Sequence, residues 1–300
     1  PLKSPVWKIF LHLFNIDGVC PMINAMKTLK SPKNAYLSGL HCLRALICVL
    51  ILNFVVACAN QNTNAGVDLV TASDETDSQK RAKIRLELAV GYLDQGQPSI
   101  ALDEVKLAIA ADPRSADAYS LRGLIYMRLN DFGLARDSFN RGMALNPKDG
   151  NILHNLGWLA CQESRFAEAI INLDKALLIP NYAGQAKTYL AKGICLLRSG
   201  DARQAENNFL RSFELDAANP IATFNLANLL YKRNDLARSQ FYIRRLNNNE
   251  YVNAESLWLA TKIEKKLGNQ QGVLQLSDRL RKQFPTSREF GLFERGAFDE

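Results

Sequence analysis

The sequence predicts an all-α fold, a right-handed superhelical solenoid of six helical hairpins stacked in chain order. Three observations predict it. A small residue recurs at Ala89, Gly123, Gly157, Gly193, Ala227 and Ala260, with spacings of 34, 34, 36, 34 and 33. A second small residue follows twelve positions later in the first four units, at Ala101, Ala135, Ala169 and Ala205. Proline closes several units, at Pro113, Pro147 and Pro285. A period of this length is one pair of antiparallel helices, which cannot bury its apolar face alone, so the units must stack.

Each unit justifies its place. The first, AKIRLELAVGYLDQGQPSIALDEVKLAIAADP, adds Tyr92 and Ala108 to its two small residues. The second adds Tyr126 and Phe139, the third Leu156, Leu173 and Ala176, and the fourth Phe209. The fifth opens on Pro220 and carries Leu226 before Ala227. The sixth is weaker, with Leu259, Ala260, Ile263 and Leu276. A small side chain on helix A lets helix B approach closely, an aromatic ring fills the remaining gap, and a following Pro stops helix B. This pattern resembles the tetratricopeptide repeat over roughly residues 82–285. Arg122 and Lys192 depart from it, standing where Leu is usual, and the third unit has two extra residues around Pro180.

The segment before the repeats is of another kind. Residues 45–57, ALICVLILNFVVA, are apolar apart from Asn53 and follow Lys27, Lys30, Lys33 and Arg44. Thirteen residues are short for a bilayer span, and the layout fits a secretory signal peptide. Val55-Val56-Ala57-Cys58 resembles a bacterial lipobox, which makes Cys58 the expected site of lipid attachment. Residues 1–57 are therefore expected to be an upstream extension and a cleaved leader, with Met26 or Met22 as the start. Residues 58–81 read as the acylated Cys58 and a disordered tether, because ANQNTNAGVDLVTASDETDSQK is polar and lacks helical periodicity. Residues 286–300 read as a tail whose Phe290, Phe293 and Phe298 cap the last hairpin.

Charge and chemistry narrow the function. The chain carries 37 basic and 30 acidic residues, net +7, but residues 1–57 hold six basic and one acidic of these. The remainder, 31 basic and 29 acidic, has no electrostatic footprint for nucleic acid. Lys262, Lys265 and Lys266 read as a solvated helix face. After the leader only His154 remains of three histidines, with no metal-ligand spacing around it, and it reads as a surface residue. No glycine-rich phosphate loop or nucleophile elbow occurs in the sequence. An enzyme is not expected, nor any metal, cofactor or small-molecule substrate. Cys161 and Cys195 lie on neighbouring A helices and are either bridged or two small apolar fillers.

The expected binding surface is the concave face lined by the A helices, at their second, fifth, ninth and twelfth positions. Its apolar members are Leu86, Val90 and Leu93, then Leu124 and Met127, then Trp158 beside Cys161, then Leu190, Ile194 and Leu197. Either this stripe receives an amphipathic or extended apolar segment of a partner, or it packs against the protein's own helices, tether or tail. Ser120, Leu124, Leu190 and Ile194 do not supply the Lys and Asn set that grips a carboxyl terminus.

Together the leader, Cys58, the tether and the repeats resemble the PilF/PilW family of type IV pilus pilotins. The more specific stretch runs from His154 to Asp216 and includes Cys161, Cys195, Pro180-Asn181-Tyr182 and Gly200-Asp201. The resemblance implies an outer-membrane lipoprotein scaffold, facing the periplasm, that holds a secretin segment and promotes secretin insertion and multimerisation. The rival reading is a lipid-anchored repeat adaptor that recruits peptidoglycan enzymes or proteases.

Overall fold

A computed structural model describes residues 74–299. The leader, Cys58 and the tether up to residue 73 lie outside the described residues. Thirteen helices and no strand are found among those described. The A helices of repeats one to six are α1 (Asp77–Asp94), α3 (Ala116–Arg128), α5 (Gly150–Gln162), α7 (Gln185–Arg198), α9 (Pro220–Lys232) and α11 (Ala254–Lys266). Their B partners are α2 (Pro98–Ala111), α4 (Phe132–Leu145), α6 (Phe166–Leu177), α8 (Ala202–Leu215), α10 (Leu236–Asn247) and α12 (Gln270–Gln283). A short α13 (Arg288–Glu294) closes the order. Each A helix packs on its own B helix, and each B helix on the next A helix, which is the connectivity of a solenoid.

The small residues do what their period predicts. A Cβ on Gly157 would come within 2.6 Å of the Leu173 side chain, and one on Gly193 within 2.7 Å of the Phe209 ring. Ala89, Ala101, Ala135, Ala169, Ala205 and Ala227 are all fully buried. Arg122, at a position usually occupied by Leu, turns its Nε to donate to Ser138 Oγ at 3.0 Å. Lys192 reaches across to Asp174 at 2.5 Å.

A second period, in the turns, fixes the register. Each A helix ends in a left-handed residue: Gly96, Asn130, Ser164, Gly200, Asn234 and Gly268, with φ between 61° and 91°. Four of these are followed by Asp131, Asp201, Asp235 or Asn269, whose side chains cap the next B helix. Because Gly268 lies 34 residues after Asn234, the small residue of the sixth repeat is Thr261, 34 after Ala227. Ala260, expected to fill that role, sits one position too early. Thr261 is fully buried and closes its hydroxyl onto Leu257 O at 2.8 Å.

Two boundaries move as well. The first helix begins at Asp77, where Thr76 and Gln79 form a capping box, so the end of the expected 58–81 tether is already helical. The two extra residues of the third unit form a turn in which Asn181 is left-handed and Tyr182 folds inward, 8% exposed. There is no room for a Cβ at Gly150 beside that ring.

Candidate partner groove

The A helices crowd one another more than the B helices do. A helices of successive repeats meet directly at the first, second, third and fifth junctions, whereas no B helix meets the next B helix in the same way among the described residues. Helices on the inside of a bend lie closest together, so the A helices form the inner face. Its rows then follow from the register.

The ninth-position row reads Val90, Leu124, Trp158, Ile194, Asn228 and Lys262. Val90 is 45% exposed and Leu124 36%, on helices whose opposite faces are buried. Trp158 and Ile194 are half-buried. Leu86 and Leu93 lean on the core shared by the first two repeats, Met127 on that of the second and third, and Leu190, Ile194 and Leu197 on that of repeats four to six. The apolar stripe is thus shared between the protein's own core and solvent, most open on α1 and α3.

The face is held together most firmly between α5 and α7. Cys161 and Cys195 are joined by a disulfide there, with Cα atoms 5.7 Å apart. Lys187 Nζ donates to Asn151 Oδ1 at 2.8 Å, and Arg198 Nη1 to Gln162 Oε1 at 3.1 Å. His154 Nδ1 lies 2.9 Å from Thr188 Oγ1, which in turn is 3.0 Å from Tyr182 OH. His154 is therefore not the solvated residue that its isolation in the sequence suggested. Burial, reinforced by the charge of Lys187, lowers its pKa to about 4, so the ring is neutral in this bridge. By contrast, the α3–α5 junction has a single side-chain bond across it, Asn155 Nδ2 to Ser120 Oγ at 3.4 Å.

At the far end the chain covers its own face. The corrected register places Trp258 and Lys262 in the fifth and ninth rows of α11. Trp258 is 4% exposed, its ring 5.0 Å from that of Phe298, and Leu292 of α13 is equally buried. Helix α13 packs on both helices of the last hairpin, α11 and α12, and Phe298 lies against α11. Of the lysines expected to form a solvated face, Lys265 and Lys266 are exposed and Lys262 is half-buried; two of them also stand over rings, Lys265 Nζ 3.4 Å from the Phe298 centroid and Lys266 Nζ 4.2 Å from that of Tyr231. Sequence reading missed this seat because the phase of the sixth repeat was off by one; the spacing of Gly268 from Asn234 was the signal that gives it.

Among the described residues no group of three or more His, Cys, Asp or Glu side chains could hold a metal ion. No described helix is long and apolar enough to cross a membrane. The arrangement offers surface and shape to another polypeptide.

Comparison with known proteins agrees with the architecture. A family model for the tetratricopeptide repeat matches residues 86–150 and 190–242. The type IV pilus assembly protein PilF of Pseudomonas aeruginosa is 24% identical over 209 residues, 70% of this chain and 83% of PilF. The solved structure of Pseudomonas aeruginosa PilF superposes with a TM-score of 0.67 at 23% identity, covering 74% of this chain and all of that one. The crystal structure of PilW, a widely conserved type IV pilus biogenesis factor, matches with a TM-score of 0.63 at 29% identity, covering 71% of this chain and 97% of PilW.

Proposed function

Starting from a tetratricopeptide-repeat chain homologous to the PilF and PilW type IV pilus biogenesis proteins, we propose that this protein is a pilotin, a scaffold without turnover. Its inner groove holds an apolar or amphipathic segment of a secretin and promotes insertion and multimerisation of the secretin ring. Lipid on Cys58 would carry it to the periplasmic face of the outer membrane, where more than one acyl chain gives stable anchoring. The observation that carries the groove assignment is the open apolar row: Val90 and Leu124 are partly exposed on well-packed helices, in line with the half-buried Trp158 and Ile194. Apolar side chains kept exposed on a rigid face support a partner site.

Two variants test the two halves of the proposal. Cys58→Ser is expected to leave the repeats folded and release the protein from membranes; continued co-sedimentation with the outer membrane would remove the lipid anchor from the account. Leu124→Ala with Trp158→Ala is expected to lower the fraction of secretin recovered as multimer. Undiminished multimers, or a crosslinked pull-down dominated by a cell-wall enzyme instead of a secretin, would replace this reading with that of a different adaptor.

A further inference from the structure

The inner face changes character along its length. After Ile194 the ninth row becomes Asn228 and Lys262, and the twelfth row ends on Tyr231 and Lys265. Lys232 and Lys266 flank them; burial, and then repulsion from these two, lowers the pKa of Lys262. The groove thus runs from an apolar end at α1 to a basic, aromatic end at α11.

The occupant of that end is visible. Helix α13 and the residues after it place Leu292 and Phe298 on α11, with Phe298 between the Trp258 ring and the Lys265 ammonium. Residues 286–300, TSREFGLFERGAFDE, carry four acidic and two basic side chains, opposite in net charge to the surface beneath. A helix of seven residues does not hold itself together in water, so α13 is helical because this surface, with the adjoining α12, holds it. The fit is incomplete: a cleft of 250 Å³ stays open between α13 and helices α9 and α11, bordered by Phe224, Trp258 and Leu292. A surface that orders one short amphipathic helix, without filling the space beside it, has the chemistry to order another.

We propose that the inner face of repeats five and six is a second docking seat. It takes a net-acidic segment in which a short amphipathic helix carries a leucine and the turn after the helix carries an aromatic ring, and Arg288–Asp299 is its intramolecular occupant, displaced when a partner segment of that kind arrives. The inference rests on the packing of α13 and stands apart from the identity of the partner bound by the first four repeats.

The test uses a fluorescein-labelled peptide of residues 286–300 and the full chain, followed by anisotropy. The peptide is expected to bind the Leu292→Ser/Phe298→Ser chain at least tenfold more tightly than the native chain, whose seat is filled. Binding should fall when Trp258→Ala is added, and weaken as salt rises, since attraction to the lysines is screened. Equal affinity for native and variant chains would mean that the tail does not occupy the site bound. No binding to a variant whose helical circular dichroism is native would mean that the surface is no docking seat. Should the double variant unfold, Phe298→Ser alone opens the aromatic half, and the same two outcomes decide. Secretin multimer recovery reads the first four repeats separately, so either claim can fail without the other.

Discussion

At the amino-terminal end of the inner face Val90 and Leu124 are partly open to solvent, whereas at the carboxy-terminal end Trp258 lies under Phe298 and Leu292. Both ends use the same hairpin and the same register, so the difference is not one of fold. It comes from what each A helix carries at its fifth and ninth positions, and from whether the chain itself returns to cover them. Between the two ends, the α5–α7 junction is tied by a disulfide and three side-chain bonds or bridges. An open apolar end on a stiffened platform is the arrangement expected of a surface that must stay presented while a partner is absent. Conformational entropy lost by stiffening in the free protein need not be lost on binding.

Breaking the platform should have the largest effect. Cys161→Ala with Cys195→Ala opens a loop of 34 residues, and chain-entropy reasoning puts the loss at about 3–4 kcal/mol. Denaturant melts should show this as a lower midpoint with an unchanged fold by circular dichroism. If the midpoint stays within error, the α5–α7 junction is held by its packing and polar bonds alone.

The neutral His154 gives a smaller, pH-dependent effect. Its folded pKa, about 4, lies below the ordinary imidazole value of 6.5. The unfolded chain therefore binds the extra proton in this window, and stability present above pH 6.5 is lost as pH falls towards 4. The difference amounts to about 2–3 kcal/mol across the window. His154→Gln should flatten that part of the pH profile, leaving only the loss below it. The carboxylates Glu163 and Glu264, where arginine hydrogen bonds outweigh the opposing effect of burial and hold the pKa below the ordinary range, contribute to that lower loss. A profile identical to that of the native chain would place the ring outside the bridge.

The smallest effect on stability should come from the open end. Val90→Ser with Leu124→Ser alters side chains that are already 45% and 36% exposed, so stability should fall by only about 1 kcal/mol per site. Partner capture should nevertheless fall. A large loss of stability would mean that these residues belong to the core and not to a site.

What could be read from residues alone follows from what each signal encodes. Small residues at a fixed period report helix crossings directly, because Gly157 and Gly193 leave no room for a Cβ, and so the hairpins and their stacking were legible. The sixth repeat was harder because Ala260 and Thr261 are both small, and only the turn residue Gly268 separates them. Ser164 adopts the same left-handed turn without Gly or Asn; its neighbour Arg165, which makes no cap, is tied instead to Glu163 and Glu168. The inner-face positions of the first four repeats were legible from the period, but their exposure was not: Leu86 packs against the first core cluster while Val90, one turn on, is exposed. The seat of the tail depends on the register of the sixth repeat and on the path of the chain after Pro285. Neither leaves a local mark on Phe298.

The central claim is that the open apolar row of the first repeats receives the secretin. A photocrosslinking amino acid placed singly at Val90, Leu124 and Leu107 in the full-length protein in cells tests it most directly. Leu107 is an exposed apolar control on α2, 49% accessible and on the opposite helix layer. Secretin is expected to be captured from positions 90 and 124 and not from 107. Capture from 107 alone, or equally from all three, would contradict the account.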